Sequence, residues 1–164
     1  MNKENKPLWA PWRIEFIRSE KDKECFLCNN ETVSEKYEEK LIIARLETVF
    51  VIMNKYPYSP GHLLIAPYRH IGDIAELSEQ EQKELMSAVI KCKKVLEKAM
   101  NPDGYNVGFN LGVVAGAGVA DHIHMHILPR WQGDNNFMPI IANTRVIPES
   151  IEDTAKLLKE NWNL

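Results

Sequence analysis

The most regular alternation of polar and apolar positions lies between residues 122 and 129, where histidines alternate with apolar residues. Strict alternation predicts a half-buried β-strand, because successive strand side chains point to opposite faces. One face would carry the imidazoles of His122, His124 and His126, with neighbours about 6.5–7 Å apart. The other face would present apolar side chains to a core.

Shorter patterns predict the remaining elements. Apolar, β-branched runs predict strands at 41–44, 48–53, 62–67 and 105–110. Ser78 followed by Glu81 forms a capping box that opens a helix to about Met100. Its apolar residues near helical spacing are Leu85, Met86, Val89, Val95 and Leu96, and Cys92 is expected to be a small core residue. A second helix should follow Pro148, with one face made of Ile151, Ala155, Leu158 and Trp162.

The order of these elements predicts the fold class. Residues 54–61 have the composition of a turn, and the glycine-rich residues 112–118 that of a loop. The resulting order β-β-β-α-β-β-α, with short connections, indicates an antiparallel sheet carrying helices, an α+β domain.

Length and composition narrow the function classes. The 164 residues suffice for one domain with a core. The net charge of −3 gives no basis for nucleic-acid binding. Without a long apolar run or the apolar core of a signal peptide, we expect a cytoplasmic protein without membrane contact. The odd count of 3 cysteines argues against a disulfide framework.

Three imidazoles in register fit two chemistries. They could hold a catalytic zinc with an open position for water, or one neutral imidazole could attack a phosphorus atom as a nucleophile. The loop from Gly112 to Gly118 directly precedes the histidines. Small residues let backbone N–H groups approach an anion closely, so this loop favours phosphorus chemistry.

A second candidate site begins at Cys25 and Cys28. The Cys-x-x-Cys spacing is that of a zinc knuckle, and in a reducing compartment it indicates metal binding or redox chemistry. The alternative interpretation is a pair of reduced, partly buried thiols.

At this point the sequence resembles a known family. His-Ile-His-Met-His-Ile-Leu at 122–128 matches the signature of the histidine-triad (HIT) superfamily, as do Asn54, Pro60-Gly61-His62-Leu63-Leu64-Ile65-Ala66-Pro67, Asn110-Leu111-Gly112 and Ala115-Gly116. The resemblance covers residues 25–135. The arm Leu8-Trp9-Ala10-Pro11-Trp12-Arg13, the segment 129–137 and Val146-Ile147-Pro148 look like the bacterial diadenosine tetraphosphate phosphorylase branch. We therefore expect a single HIT domain, with residues 1–24 as an N-terminal arm and 136–164 as a C-terminal extension with a helix.

The resemblance implies chemistry at the α-phosphate of an adenosine nucleotide. Within the triad of His122, His124 and His126, His124 would be the nucleophile that forms a nucleotidyl-histidine. His126 would contact the phosphate or help supply a proton to the leaving group. The expected nucleotide contacts are Asn110, Gly116, Ala117 and Gly118 at the phosphates, Asn54 at the ribose, and Phe50 and Ile52 at the base. Relatives often carry Gln or Ser just before the triad. Here Ala117 to Asp121 offers no side-chain hydroxyl or amide, so its phosphate contacts should be main-chain.

The resemblance also completes the cysteine site. In the zinc-bearing branch of the family, a histidine after the Pro-containing strand and the first triad histidine join the two cysteines. The corresponding residues give a closed structural zinc site of Cys25, Cys28, His70 and His122. No organic cofactor is expected, and His62 would be left as a hydrogen-bonded structural residue.

The resulting hypothesis is a homodimeric HIT enzyme acting on adenine nucleotides or dinucleoside polyphosphates. Inorganic phosphate would be the acceptor in a phosphorylase, and water in a hydrolase of dinucleoside polyphosphates or nucleoside phosphoramidates. The flanking segments favour the phosphorylase. Two alternatives from other classes are a metal-dependent hydrolase that uses all three triad histidines and a non-catalytic nucleotide-binding adaptor.

Overall fold

The structure is a computed structural model that describes residues 25–28, 41–134 and 149–162. The predicted arm with Trp9 and Trp12, the segment that follows residue 134, and Pro148 lie outside the described residues.

The described strands form one antiparallel sheet of five strands. They are β1 (Ile42–Arg45), β2 (Val49–Met53), β3 (Leu63–Pro67), β4 (Gly104–Phe109) and β5 (Met125–Arg130). Their order across the sheet is β1-β2-β3-β5-β4, and every neighbouring pair is antiparallel. With the helices α1 (Glu79–Met100) and α2 (Ile151–Trp162), this confirms the α+β prediction.

The core lies around the interior strands β2 and β3, in which every residue is buried. Helix α1 packs across β3, β2 and β5, while α2 packs against α1 and β1. Helix α2 buries Ala155 and Leu158 and packs the partly buried Ile151 and Trp162 on the core, as predicted. Within the described residues, no helix combines the length and the apolar character needed to cross a membrane.

Helix α1 begins and ends as the sequence predicts. The hydroxyl of Ser78 accepts the backbone N–H of Glu81, whose carboxylate accepts the N–H of Ser78. At its end, Asn101 adopts a left-handed conformation with φ 46°. The buried stripe is Leu85, Ala88, Cys92, Val95 and Leu96. These positions follow the 3.6-residue period from Leu85, whereas Met86 lies one step around the helix and is 55% exposed, contrary to the prediction. Cys92 is a core residue, and burial raises the pKa of its thiol to about 12.

The histidine strand differs from the prediction. Strand β5 begins only at Met125, which pairs with Ile65 of β3 and Phe109 of β4. His122 and His124 precede it, because the backbone N–H of Ile123 donates to the carbonyl of Ile71 (2.7 Å) instead of joining the ladder. All residues from 122 to 127 are buried, so this segment is not half-buried as the alternation suggested.

An ion pair ties the start of α1 to the segment after β3. The guanidinium of Arg69 donates to both carboxylate oxygens of Glu81, at 2.8 and 2.6 Å. Because Arg69 and the N-cap of Ser78 stabilise the carboxylate, the pKa of Glu81 falls from its ordinary 4.5 to about 2. The Glu81 side chain is 4% exposed and that of Arg69 53%.

Replacing Glu81 should therefore destabilise the fold in a pH-dependent way. A depressed pKa contributes stability that is complete above pH 4.5 and is lost as the pH falls towards 2. Since solvent screens the exposed arginine, we expect Glu81→Ala to cost about 2 kcal/mol at neutral pH. The free energy of unfolding in urea, measured near neutrality and near pH 3, should show this difference shrinking in acid. Glu79 lies in the same helical turn but is exposed, so Glu79→Ala should change stability by less than about 0.5 kcal/mol. A pH-independent loss for Glu81→Ala would contradict the argument.

Candidate active site

Four side chains that could hold a metal meet beside β3 and β5. The nitrogen and sulfur atoms of Cys25, Cys28, His70 and His122 all lie within 4.8 Å of one another. The backbone N–H of Cys28 donates to the carbonyl of Cys25 (3.0 Å). This turn places the two thiols on the same side of the segment. His70 follows Arg69, which the ion pair to Glu81 fixes.

Three of the distances between these atoms are close to those expected around a tetrahedral ion. The Nδ1 atom of His122 lies 3.4 Å from both sulfur atoms, and Nδ1 of His70 lies 3.1 Å from the sulfur of Cys28. With Zn–S bonds near 2.3 Å and Zn–N bonds near 2.0 Å, neighbouring ligand atoms of tetrahedral zinc are about 3.3–3.8 Å apart. The Cys2His2 donor set is also one that zinc prefers.

His122 is oriented through all of its polar atoms. While Nδ1 faces the thiols, Nε2 lies 2.9 Å from the carbonyl oxygen of Pro67, to which it donates as the N–H tautomer. A metal-binding histidine is commonly fixed by such a second hydrogen bond. His122 is fully buried, and this burial lowers the pKa of its imidazole.

The backbone of His122 orients the next histidine. Its carbonyl oxygen lies 2.8 Å from Nδ1 of His124, which therefore carries the proton. The lone pair of neutral His124 is then on Nε2. His124 is 7% exposed, and burial lowers the pKa of its imidazole, which favours the neutral form.

His62 was expected to be a hydrogen-bonded structural residue, and the structure places it against the third triad histidine, a partner that was not predicted. This fully buried side chain follows Gly61, and its Nε2 lies 2.9 Å from Nδ1 of His126. On its other side, Nδ1 accepts the backbone N–H of Tyr58 (3.1 Å) and faces the amide nitrogen of Asn54 (3.2 Å). The contact depends on the pairing of β3 with β5, which the sequence alone does not specify.

The backbone conformation before His62 requires a glycine at position 61. Gly61 has φ +72°, and a Cβ atom there would lie 2.7 Å from the sulfur of Met100 and 3.0 Å from Leu96. The turn that delivers His62 into the sheet thus needs both the backbone freedom and the small size of glycine.

Two predicted base-pocket residues belong to the core. Phe50 and Ile52 are 0% and 2% exposed, and the ring of Phe50 packs on that of Tyr68 with centroids 5.5 Å apart. They lie on the interior strand β2, where the apolar pattern reflects burial. Neither side chain offers a surface to a ligand in this structure.

The other predicted nucleotide contacts lie around the triad. Some of their polar groups already form hydrogen bonds within the protein. Asn54 accepts the N–H of Tyr56 through Oδ1 (2.9 Å). Within the glycine-rich loop, the N–H groups of Gly116 and Ala117 donate to the carbonyls of Val113 and Gly112. To bind phosphate, these two N–H groups would have to give up their hydrogen bonds to those carbonyls. Gly118 is the last residue of the glycine-rich loop.

Asn110 joins this loop to the histidines. Its Nδ2 atom lies 3.4 Å from both the carbonyl oxygen of Gly116 and Nε2 of His126. Since the rings of His124 and His126 are 4.9 Å apart, Asn110, His124 and His126 can face one phosphate group. The arrangement combines a neutral imidazole with an available lone pair and nearby hydrogen-bond donors, which suits nucleophilic attack on phosphorus.

Comparison with known proteins places this geometry in context. Residues 35–133 match the family described as HIT domain. The AP-4-A phosphorylase of Mycobacterium tuberculosis is 38% identical over 162 residues, which span 94% of this chain and 83% of that protein. The asymmetrical bis(5'-nucleosyl)-tetraphosphatase of Schizosaccharomyces pombe is 37% identical over 90 residues, covering 55% of this chain and 48% of that protein.

A solved structure shows the same fold. The hypothetical histidine triad nucleotide-binding protein of Sulfolobus tokodaii strain7 superposes with a TM-score of 0.68 at 28% identity. The match covers 85% of this chain and 92% of that one.

Proposed function

The chain belongs to the HIT domain family and is an enzyme of that class, and we propose that it cleaves dinucleoside polyphosphates through a nucleotidyl-histidine at His124. The observation that carries this proposal is the hydrogen bond from Nδ1 of His124 to the carbonyl of His122. It assigns the nucleophilic lone pair to Nε2 and keeps the ring from rotating.

The reaction would proceed in two displacements. Nε2 of His124 attacks the α-phosphorus, the N–P bond forms, and the bond to the leaving oxygen breaks with its electron pair staying on that oxygen. The positive charge of the substituted imidazole is stabilised by the carbonyl that already accepts its Nδ1 proton. An acceptor oxygen then attacks the same phosphorus, the N–P bond breaks with its electron pair returning to Nε2 of His124, and a proton carried by the acceptor oxygen passes to solvent. Asn110 and His126 would donate hydrogen bonds to the phosphoryl oxygens.

We infer diadenosine tetraphosphate as substrate and inorganic phosphate as acceptor. The support is the AP-4-A phosphorylase relative, which aligns with 94% of this chain. The second candidate is hydrolysis, in which water is the acceptor, and the tetraphosphatase relative over 55% of the chain keeps it open. Both use the same nucleophile.

Product analysis tests this assignment. Diadenosine tetraphosphate incubated with and without inorganic phosphate should give ADP and ATP only when phosphate is present. His124→Ala should lower the rate at least about 10³-fold, because the nucleophile is lost, and alkaline quenching of the wild type should trap one adenylyl group on the protein. AMP and ATP without phosphate would indicate the hydrolase. Binding of AMP without turnover would indicate an adaptor, and wild-type rates in a folded His124→Ala protein would exclude the covalent mechanism.

We also propose that Cys25, Cys28, His70 and His122 bind a structural zinc ion. The ligand distances fit tetrahedral coordination, and the bond from His122 to the Pro67 carbonyl supports Nδ1 as the ligating atom. Four protein ligands leave no position for water, so the zinc would stabilise the segment before β5 and supply no nucleophile. The site needs reduced thiols, in agreement with the cytoplasmic location expected from sequence.

Metal analysis checks the zinc site. We expect about one zinc per chain, and both Cys25→Ser and removal of the metal by a chelator should lower stability by at least about 2 kcal/mol. Cys92→Ala is the matched control, because this buried cysteine lies outside the cluster and its loss should leave the zinc content unchanged. Full zinc content in Cys25→Ser, or none in the wild type purified under reducing conditions, would contradict the proposal.

The edge strand β4 supports a homodimer. Within the described residues β4 has a neighbour on one side only, and residues 106–108 are exposed. Val107 on this edge is 47% exposed. An unpaired edge strand promotes association with another strand, and two antiparallel copies of β4 could pair about a two-fold axis.

Light scattering after size-exclusion chromatography measures the assembly. The wild type should have twice the 18.9 kDa chain mass. Val107→Glu should shift it to the monomer, because a charge at the edge opposes pairing. Met86→Glu changes a similarly exposed apolar residue on α1 and should leave the dimer intact. A monomeric wild type, or an unchanged dimer in Val107→Glu, would contradict the edge-strand interface.

A further inference from the structure

We propose that hydrogen peroxide converts Cys25 and Cys28 to a reversible disulfide, and that this oxidation releases His122 from the cysteine cluster and thereby switches off the nucleophile His124. The inference rests on the proposed zinc site and the proposed nucleophile, and it adds a regulation of one through the other. The Cys-x-x-Cys spacing indicates both metal binding and redox chemistry, and the proposed zinc site uses only the first.

The cluster extends from the surface into the core. His70 is exposed, Cys25 and Cys28 are half-buried, and His122 is fully buried. A small oxidant can therefore reach the sulfur atoms, whereas the imidazole that faces them lies inside the protein beside the triad. The third cysteine differs, because Cys92 is fully buried and the pKa of its thiol is raised to about 12, so it stays protonated and unreactive.

The two thiols are close enough to join. Their sulfur atoms lie within 4.8 Å of each other, in a turn closed by the bond from the N–H of Cys28 to the carbonyl of Cys25 (3.0 Å). A disulfide has an S–S bond of about 2.05 Å, so the two sulfurs must approach by less than about 3 Å. Rotation of the two side chains would supply this movement while the segment stays folded.

The oxidation takes two steps. One thiolate sulfur attacks a peroxide oxygen, the O–O bond breaks, and hydroxide leaves, which converts that cysteine to a sulfenic acid. The second thiolate attacks this sulfur, the S–S bond forms, and a second hydroxide leaves. The cysteines lose two electrons, the peroxide gains them, and both hydroxides take protons from solvent. His70 and His122 alone are too few ligands to retain zinc, which passes to solvent.

Oxidation reaches the nucleophile through His122. Before oxidation its Nδ1 lies 3.4 Å from both sulfurs, and its carbonyl accepts Nδ1–H of His124 at 2.8 Å. Because a disulfide sulfur is neither a zinc ligand nor a strong hydrogen-bond partner, Nδ1 of His122 loses its partners in the interior. An unpaired buried polar atom is costly, which favours movement of His122. Since the ring and the carbonyl belong to one residue, this movement loosens the bond that orients Nε2 of His124.

A second connection runs through the segment that carries His70. The carbonyl of Ile71 accepts the N–H of Ile123 across 2.7 Å. The same segment approaches the chain before the triad so closely that a Cβ atom on Gly72 would lie 3.0 Å from the carbonyl oxygen of Ala120. Release of His70 from the cluster would therefore disturb the triad segment from another side.

Oxidation of the resting protein tests the switch without turnover. The zinc-loaded wild type is treated with hydrogen peroxide while a metal-sensitive dye measures free zinc, peptide mass measures the disulfide, and ¹⁵N NMR follows the imidazole of His124. We expect one zinc released per disulfide, shifted His124 resonances and an unchanged far-UV circular dichroism spectrum, with recovery after dithiothreitol and zinc. Unshifted His124 resonances in the disulfide form, or an unfolded oxidised protein, would overturn the proposal. Cysteines that stay reduced while the exposed Met86 is oxidised would also overturn it.

Activity supplies the functional measurement. On diadenosine tetraphosphate with inorganic phosphate, the disulfide form should have a kcat at least about tenfold below that of the reduced form, and dithiothreitol with zinc should restore the rate. A thiol does not reverse methionine oxidation, so recovery assigns the effect to the cysteines. An unchanged rate or an irreversible loss would contradict the switch. If the reduced protein cleaves no dinucleotide, the proposed function fails, and the spectra of the resting protein still decide about the switch.

Two variants locate the effect. Cys92→Ala should remain as sensitive to peroxide as the wild type, because this buried cysteine lies outside the cluster. In Cys28→His a third imidazole can complete a zinc site but no disulfide can form, so peroxide should release no zinc and change the rate by less than about twofold. Lost sensitivity in Cys92→Ala, or wild-type sensitivity in zinc-loaded Cys28→His, would overturn the proposal. If Cys28→His binds no zinc, the wild-type measurements decide.

Discussion

The arrangement of the site depends on the polar atoms of His122. Its Nδ1 lies among the cysteine sulfurs, its Nε2 reaches the Pro67 carbonyl, and its own carbonyl accepts Nδ1–H of His124. Because these three bonds fix both the side chain and the peptide group, a displacement of the ring would also move the acceptor that orients His124. The cysteine cluster and the nucleophile are therefore coupled through one residue, with no intervening side chain whose rotation could separate them.

The second constraint comes from backbone N–H groups that cannot reverse their role. An imidazole or a carboxamide can exchange donor for acceptor by moving a proton or rotating, but the N–H groups of Tyr56 and Tyr58 cannot. Since Asn54 and His62 accept these N–H groups, main chain in the turn after β2 orients the imidazole that lies against His126. A loop that the sequence identifies only by its Pro and Gly content thus positions His62 beside the triad.

The sequence predicted features that depend on local order and missed those that depend on pairing. The capping box at Ser78 and Glu81 and the buried stripe through Leu85 follow from short-range periodicity, and α1 has both. Phe50 and Ile52 illustrate the opposite case, since an apolar residue near a site and one in the core have the same pattern, and only the sheet order places β2 between β1 and β3. His62 was overlooked as a partner of His126 because their contact requires the β3–β5 register, and the triad segment was extended too far because Ile123 bonds outside the sheet. The cluster of two cysteines and two histidines was predicted only through the family resemblance. Cys25 and His122 lie 97 positions apart, so no local pattern connects them.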